Sequence, residues 1–330
     1  MSFLRRIKIL LASRKIIKNW LPAGITYFLG NVGLTRLTNL EIICNDGSRS
    51  LLSVSTYSRL VNDYWAGYLT AYNCRDRTAT YFNGVKIPLE EIEKSEIVPA
   101  IRHGWLYDSS CKCWYKENIK FKHLRNTILE VFEYGEYNQL DVRNKVVIDV
   151  GAYVGDSAIY FALNGAEKVI AIEPHPYAYA EMLINIKLNK LEDKIIPINA
   201  GLASKPGKIC LEDLEKNPAN MKYYKANICK EGIPIITLSD IFRQYGNNDE
   251  MILKMDCEGC EYDIILNDYD NMKKFNEIYF EYHAYIVNKS VDVLLEKLSS
   301  YFTCSHVFIN NYYYFHNISR EFLGIIKCKK

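Results

Sequence analysis

The chain has 330 residues, of which 49% are hydrophobic, 13% aromatic and 24% charged, enough for about two globular domains. This composition excludes a largely disordered chain and a collagen-like repeat. The formal net charge of +2 hides an uneven distribution, because every charged residue before Glu41 is basic and residues 145–330 are acidic on balance.

The cysteines and the N-terminus bear on the compartment. The ten cysteines are spread along the chain, which predicts reduced thiols rather than a disulfide scaffold. Arg14, Lys15 and Lys18 interrupt the apolar N-terminus, so we expect no secretion signal. No uncharged apolar run reaches the ~20 residues that span a bilayer. We therefore expect a cytoplasmic protein, with the inner membrane surface as a further place of contact.

Residues 1–40 form a basic segment in which residues 2–20 predict an amphipathic helix, since apolar residues recur near helical spacing between basic ones. The glycine-bounded stretch 24–30 is expected to break this pattern. Three roles stay open for the segment: contact with an anionic membrane surface, binding of nucleic acid, or packing of its apolar face on the protein. Nucleic acid is the weakest, because the rest of the first half has no strong basic stripe. The sequence makes no prediction of oligomeric state.

Residues 41–144 mix short strand-like runs with turn signals, which predicts an α+β region. Residues 80–87 predict a hairpin around Asn83-Gly84, and residues 123–134 predict a helix. We expect this region to cover a site in the second half and to select its ligand.

Residues 145–330 predict an α/β domain with a mostly parallel, Rossmann-like sheet, because strands and helices alternate. The strands are expected at 146–150, 168–173, 194–199, 251–256 and 277–282, and the helices at 156–163, 177–189, 260–267 and 290–300. Two further strand-like stretches, 302–310 and 312–327, are joined by a short connection. Such a connection permits only antiparallel pairing, so the sheet should end in an antiparallel hairpin.

The turn after the first strand predicts a nucleoside cofactor. Asp149 and Val150 precede Gly151, whose lack of a side chain lets a ligand approach the backbone. The turn is neither Gly-x-Gly-x-x-Gly nor a P-loop. Glu173, followed by Pro174, ends the second strand 24 residues after Asp149, near the ~20-residue offset at which an acid binds ribose hydroxyls.

The fourth strand runs into the motif Lys254-Met-Asp256-Cys-Glu258-Gly-Cys-Glu261. A charge inside an apolar strand needs a partner or a ligand, so Lys254 predicts a Lys–carboxylate network at the cofactor mouth. Strand alternation places Lys254 and Asp256 on one side. Glu261 is expected to cap the following helix.

These three motifs, taken in order, resemble the FkbM family of S-adenosylmethionine-dependent class I methyltransferases over about residues 145–285. The resemblance implies a seven-stranded sheet with an antiparallel final strand, and O-methylation of a hydroxyl on a sugar, glycan or related small molecule. It implies cofactor binding by nine residues: Asp149, Val150, Gly151, Tyr153, Gly155, Glu173, Pro174, Asp256 and Glu258. Tyr153 and His175 stand where the family usually has Asn, and His175 is expected in the loop beside adenosine.

The pair Cys257-x-x-Cys260 has two interpretations. It could be a redox or metal pair, and with Cys111 and Cys113 it could even form a zinc site of four thiolates. The resembling family usually has small apolar residues here, which favours a packing role. We therefore predict no metal at these cysteines.

The fifth strand ends in Glu281-Tyr-His283, which predicts the chemistry of methyl transfer. His283 is our candidate general base, with Glu281 orienting it and with Asp256 and Lys254 in the same site. A divalent cation held by Asp256, Glu258 and Glu281 is compatible with this set but is not demanded by it.

Two alternative functions stay open. A nucleic-acid methyltransferase, acting on RNA, is weakened because the Asn/Asp-Pro-Pro-aromatic motif of amino-directed enzymes is missing after the fourth strand. A non-enzymatic module that only binds S-adenosylmethionine is weakened because the acidic and glycine positions are intact. The sequence therefore predicts a methyltransferase that uses S-adenosylmethionine.

Overall fold

The computed structural model describes residues 3–34, 36, 38–210, 224–225, 232–246, 250–308, 319 and 321–330. The chain divides into two compact units, Met1–Asn126 and Thr127–Lys330. Residues 127–144, which the sequence analysis assigned to the N-terminal region, thus belong to the second unit. The role of the first unit as a cap stays a prediction.

The first unit combines short helices with small antiparallel sheets. Its helices are α1 (Phe3–Ser13), α2 (Trp20–Asn31), α3 (Val54–Trp65), α4 (Leu89–Ile92) and α5 (Ile97–Arg102). Its strands are β1 (Asn39–Ile43), β2 (Arg49–Ser53), β3 (Leu69–Asn73), β4 (Thr78–Tyr81), β5 (Lys86–Pro88), β6 (Leu106–Asp108), β7 (Cys113–Lys116) and β8 (Ile119–Phe121). They pair as β1-β2, β3-β4-β5 and β6-β7-β8. The antiparallel pair β4-β5 confirms the predicted hairpin.

The N-terminal segment departs from its prediction. The single helix expected over residues 2–20 is wrong, because α1 ends at Ser13 and Ile17 forms an antiparallel bridge with Cys44. The glycines do not break the next helix, since α2 runs through Gly24. A Cβ at Gly24 would lie 2.1 Å from Cδ1 of Leu10, so this glycine permits close packing of α2 on α1.

Disulfides replace the reduced thiols that the sequence analysis expected. The structure joins Cys44 to Cys74, Cys111 to Cys113, Cys257 to Cys260 and Cys304 to Cys328. Sequence spacing did not show that partners 30 and 24 residues apart meet in space; Cys304 and Cys328 lie opposite each other on two paired strands of the second unit. Such bonds persist mainly in oxidising compartments, so the expected cytoplasmic location gains no support and stays a prediction. A sulfur in a disulfide is not a thiolate ligand, so Cys111, Cys113, Cys257 and Cys260 do not offer four thiolates while they are paired in this way. Cys229 lies outside the described residues.

The second unit begins with α6 (Asn126–Phe132), which starts at the last residue of the first unit and matches the helix predicted at 123–134. Its other helices are α7 (Asp156–Leu163), α8 (Pro176–Leu188), α9 (Leu238–Tyr245), α10 (Cys260–Asn267), α11 (Tyr269–Met272), α12 (Ala284–Val287) and α13 (Asp292–Ser299). Its strands are β9 (Val146–Val150), β10 (Lys168–Ile172), β11 (Ile195–Ile198), β12 (Gly201–Leu202), β13 (Gly207–Cys210), β14 (Tyr224–Lys225), β15 (Ile233–Ile236), β16 (Met251–Met255), β17 (Glu277–His283), β18 (Thr303–Val307) and β19 (Leu323–Lys329).

A seven-stranded sheet in the order β11-β10-β9-β16-β17-β19-β18 organises the second unit. The first five are parallel, and β19 pairs antiparallel with both β17 and β18. This confirms the predicted Rossmann-like fold with an antiparallel C-terminal end. Residues 309–310 of the first predicted stretch of the hairpin, and 312–318 and 320 of the second, lie outside the described residues. A smaller sheet, β12-β15-β13-β14, occupies the polar stretch that the sequence analysis left unassigned.

The strand order places a crevice at the carboxyl ends of β9 and β16. The chain runs outward from β9 through β10 to β11 on one side, and returns to β16 on the other. Ligands of open α/β sheets bind at this reversal. All five residues of β9 are buried, as are all five of β16. Two fully buried strands therefore support the crevice.

Candidate active site

A cavity of ≈ 780 Å³ opens at the carboxyl ends of β9, β10, β16 and β17, within the second unit. This volume is in the usual range for a site that holds a cofactor or a drug-sized ligand. Ten of the predicted site residues line it: Val150, Gly151, Tyr153, Glu173, Pro174, Lys254, Asp256, Glu258, Glu281 and His283. Asp149 and Gly155 are not among the lining residues.

Asp149 and Lys254 form a buried ion pair under the cavity. Lys254 Nζ lies 3.0 Å from Asp149 Oδ1, and the two side chains are 3% and 0% exposed. Ser157 Oγ donates to Asp149 at 2.6 Å, and Lys254 Nζ donates to the carbonyl of Gly151 at 3.1 Å. Burial alone would lower the pKa of Lys254, but the carboxylates of Asp149 and Asp256 raise it above its ordinary value. Lys254 is therefore a permanent cation that holds the Gly151 turn.

Gly151 is the point of closest backbone approach in the site. Its φ is +74°, and a Cβ built on it would lie 1.7 Å from the carbonyl oxygen of Asp256. Two segments of the cavity floor, after β9 and after β16, therefore touch through this glycine. A side chain here would have to push them apart.

We expect Gly151→Ala to lower the affinity for S-adenosylhomocysteine by at least about tenfold, because the cavity floor must widen to take the Cβ. Titration calorimetry measures the effect. Gly165→Ala is the matched control, since Gly165 has a φ of +94° but a Cβ there meets only the side chain and Cα of Arg143, at 3.3 Å or more. Equal affinity losses in both variants would show that backbone strain, not the contact with Asp256, is the cause.

The carboxylate of Glu173 is fixed by two backbone hydrogen bonds and can still accept from a ligand. Its Oε2 accepts from the backbone N–H of Tyr153 at 2.9 Å, and its Oε1 accepts from that of His175 at 2.7 Å. Burial raises the pKa of Glu173 to about 7, against the lowering effect of these two bonds. Each oxygen keeps a further lone pair, so the carboxylate can still accept from two hydroxyls.

The two positions at which the sequence departs from the family pattern have structural explanations. Tyr153 has a φ of +47°, a left-handed conformation that Asn adopts more readily than Tyr. His175 is buried and caps α8, where its Nδ1 accepts from the backbone N–H groups of Tyr177 and Ala178. An Asn side chain would cap in the same way. The placement of His175 beside adenosine stays a prediction.

His283 lies among four carboxylates at the end of β17. Its Nδ1 is 3.3 Å from Glu261 Oε1, which also accepts from the His283 backbone N–H at 2.8 Å. Its Nε2 is 3.4 Å from Glu281, 3.7 Å from Asp256 and 3.8 Å from Glu258. Glu261, which is fully buried, therefore orients the ring, a role that the sequence analysis gave to Glu281.

The charges of this cluster depend on one another. Burial would lower the pKa of His283, but hydrogen bonds and charge interactions with Glu261 and Glu281 raise it well above 6.5. These contacts with Glu261 and Glu281 favour the protonated ring. Burial and the neighbouring Glu281 raise the pKa of Asp256 well above its ordinary value, and burial raises that of Glu258. Protons in this cluster belong to the group rather than to single residues.

Sequence reasoning missed the acids that α6 and the following turn bring to the cavity. Burial, Glu281 and Asp156 raise the pKa of Glu130 to about 7. Glu136 is 8% exposed, and burial followed by Glu281 raises its pKa well above 4.5. A lone Glu in a short helix carries no sign in the sequence that it will face a cavity.

The raised pKa of Glu130 predicts a pH-dependent stability. A carboxyl whose folded pKa is about 7 favours the folded state below its unfolded value near 4.5, and this contribution is lost as pH rises through 7. We expect Glu130→Gln to change the free energy of unfolding little at pH 4 and to raise it by about 2 kcal/mol at pH 8. Urea unfolding followed by hydrogen exchange of α6 measures this. The exposed Glu192→Gln is the control, and a gain of the same size at pH 4 would contradict the electrostatic cause.

Comparison with known proteins agrees with this geometry. A family model described as the methyltransferase FkbM domain matches residues 149–308. Uncharacterized protein 158B of Sulfolobus islandicus rod-shaped virus 1 is 28% identical over 158 residues, which cover 48% of this chain and 72% of that protein.

Two further matches are a tRNA methyltransferase and a solved structure that contains S-adenosylhomocysteine. The tRNA (guanine(37)-N(1))-methyltransferase Trm5b of Methanocaldococcus jannaschii is 51% identical over 55 residues, which cover 17% of this chain and only 16% of that enzyme. The solved structure of M. capricolum TrmK with S-adenosylhomocysteine has 14% identity and a TM-score of 0.35, over 60% of this chain and 68% of that chain.

The family match begins at Asp149 and extends to Phe308, so it includes the turn after β9, the acid after β10, the motif after β16 and the end of β17. These are the segments that form the cavity. Residues 149–308 therefore carry the FkbM methyltransferase domain that the sequence motifs predict.

Proposed function

We propose that the second unit is an S-adenosylmethionine-dependent O-methyltransferase whose acceptor is a hydroxyl of a sugar, a glycan or a related small molecule. The observation that carries the proposal is the acidic lining of the cavity. It contains eight carboxyl groups and only two cations, Lys254 and His283. One of these cations, Lys254, is already paired with Asp149.

The residues fit S-adenosylmethionine on three grounds. Gly151 lines the cavity and lets the turn after β9 approach the Asp256 backbone closely, which shapes the floor on which the cofactor would lie. Glu173 keeps lone pairs for two ribose hydroxyls. Carboxylates at the cavity mouth favour a ligand with a positive sulfonium. The bound cofactor supplies the methyl group, and the protein has to align the acceptor and remove its proton.

A neutral acceptor with several hydroxyls suits this lining better than a polyanion does. Carboxylates such as Asp256 and Glu258 accept hydrogen bonds from hydroxyl groups. Phosphates of RNA would be repelled by the same groups, since nucleic-acid sites neutralise phosphates with Lys and Arg.

Proton removal is assigned to the cluster around His283. Glu261 fixes the ring, so Nε2 faces Asp256, Glu258 and Glu281 at 3.4 to 3.8 Å. Because Glu261 and Glu281 favour the protonated ring, a carboxylate beside it takes the proton of the acceptor hydroxyl, or His283 first gives its own proton to Glu281, 3.4 Å away, and then takes that of the acceptor. The predicted base His283 therefore acts together with Glu281 and Asp256.

The same cluster could also hold a divalent cation. One ligand atom each from Asp256, Glu281 and His283 lies within 4.8 Å of the others, and carboxylate oxygens suit Mg²⁺. Dialysis against EDTA decides between the two arrangements. Turnover that is lost and then restored by Mg²⁺ would assign a cation to the site, whereas unchanged turnover would assign proton transfer to the side chains alone.

RNA methylation is the second candidate, and it is favoured by the similarity to Trm5b described above. That similarity spans 55 residues and only 16% of Trm5b, however, so it is weak support for a shared acceptor. An RNA substrate predicts binding that weakens steeply with salt. Salt-independent turnover on a neutral glycoside would exclude this candidate as the main activity.

Two measurements test the proposal. Titration calorimetry with S-adenosylhomocysteine should show binding that Glu173→Gln weakens by about tenfold or more, because the acid that accepts from the ribose is lost. A methyl-transfer screen with labelled cofactor should then favour glycosides and lipid-linked sugars over tRNA. Absence of cofactor binding would reject both the enzyme and the non-enzymatic module that only binds S-adenosylmethionine.

A further inference from the structure

The two N-terminal helices expose apolar stripes along one face each. In α1 the exposed apolar residues are Leu4, Ile7 and Leu11, spaced i, i+3, i+7. In α2 they are Leu21, Ile25 and Phe28, and Val32 directly after the helix continues the spacing i, i+4, i+7, i+11. Each of these side chains is between 38% and 71% exposed. Such spacing defines a continuous face rather than scattered surface residues.

The stripes are exposed although both helices are anchored to the first unit by their other faces. Ile9 of α1 is buried, and Ile16 and Ile17 are buried in the turn that follows. In α2, Tyr27 donates a hydrogen bond to Ser58 of α3 at 3.0 Å, and Gly24 packs on Leu10. The exposed faces are therefore a fixed feature of the folded unit.

Every charged side chain before Glu41 is basic. These seven cations are all exposed: Arg5, Arg6, Lys8, Arg14, Lys15, Lys18 and Arg36. Apolar stripes flanked by cations are typical of helices that lie in a bilayer interface with anionic headgroups. None of the helices among the described residues has the length and hydropathy that a membrane crossing requires.

We propose that residues 4–34 form a docking surface for an anionic lipid bilayer, with α1 and α2 lying in its interface. The charge argues for this occupant over the others. A second copy would bring an equally basic surface against the first, and the two would repel. Nucleic acid would match the charge but would leave both apolar stripes without a contact. The proposal does not depend on the function assigned to the second unit.

Vesicle flotation with the full chain tests the proposal. We expect binding to vesicles of phosphatidylcholine with about 30% phosphatidylglycerol and at least about tenfold weaker binding to pure phosphatidylcholine. The double variant Ile25→Ser/Phe28→Ser should lower binding by about tenfold or more, because the inserted apolar area is lost. Its matched control is Leu51→Ser/Phe82→Ser, which removes two exposed apolar side chains elsewhere in the first unit.

The charge component has its own variant pair. Arg14→Gln/Lys15→Gln should weaken binding to the anionic vesicles by about tenfold, whereas Lys86→Gln/Lys94→Gln, also exposed, should leave it unchanged. Equal binding to neutral and anionic vesicles, or undiminished binding of the α2 variant, would overturn the proposal. So would a dimer in sedimentation analysis that the α2 substitutions dissociate, because the stripes would then be covered by a second copy.

Discussion

Lys254→Met is expected to destabilise the second unit by about 3–5 kcal/mol and to abolish cofactor binding, because it leaves Asp149 buried with an unpaired charge. The side chain of Asp149 is 0% exposed, and after the substitution only Ser157 Oγ would remain as a described side-chain partner. The carbonyl of Gly151 would also lose its donor. The substitution is therefore expected to lower the stability of the second unit and also to disturb the geometry of the Gly151 turn.

A double variant separates the charge from the packing. Asp149→Asn/Lys254→Met removes both charges, and replacing a buried ion pair by neutral groups is often nearly neutral for stability. We expect it to recover most of the stability but not the cofactor affinity, since the Gly151 turn still lacks its donor. If the double variant is as unstable as Lys254→Met, the methylene packing of Lys254 matters more than its charge.

The distribution of tryptophan makes the measurement specific. The four tryptophans, Trp20, Trp65, Trp105 and Trp114, all lie in the first unit. Their fluorescence during urea unfolding therefore reports on the unit that is not mutated and serves as an internal control. Hydrogen exchange of peptides from β9 and β16 reports on the second unit, which carries the substitution.

His283→Ala is expected to reduce kcat by about 10²- to 10⁴-fold and to change the affinity for S-adenosylhomocysteine less than about threefold. The ring is the cation that faces Asp256, Glu258 and Glu281, so its removal leaves the cluster without the partner that shares its protons. Because Glu173 and Gly151 lie at other strand ends, the cofactor site should persist.

Two further variants keep this test decisive. His283→Gln retains a polar side chain but cannot carry the shared proton, so it should lose turnover even if His283→Ala folds poorly. Glu261→Gln should leave the ring in place but shift the pH profile of kcat, because the carboxylate that raises the pKa of His283 is gone. His306→Ala, an exposed histidine of β18, is the control. Full turnover in His283→Gln would remove His283 from proton transfer.

The central sheet could be predicted because its sequence pattern is local. Val146–Val150 and Met251–Met255 are continuous apolar runs, and the structure buries both strands completely. The positions of Gly151 in the first turn and of Glu173 after the second strand could be predicted for the same reason, because each directly follows an apolar strand. Their common cavity follows from the rule that parallel strands end on one edge.

Tertiary contacts explain what the sequence did not reveal. Glu261 was interpreted as a helix cap, and it does accept from the backbone N–H of Gly259 at 3.0 Å, but its other oxygen holds His283 from a different strand. Glu130 and Glu136 reach the cavity from a segment that no motif marks. Gly24 was interpreted as a helix breaker because its contact with Leu10 is invisible in a linear pattern.

The order of the last strands has a consequence for biosynthesis. The strand β19, Leu323–Lys329, lies between β17 and β18, so it is an interior strand although it is made after both. Until β19 has been synthesised, β17 pairs with none of the other described strands on its side away from β16, and the strand that carries Glu281 and His283 is an open edge. The sheet therefore cannot be completed strand by strand in the order of synthesis. A nascent chain that stalls before Leu323 would expose this edge and would be a client for chaperones.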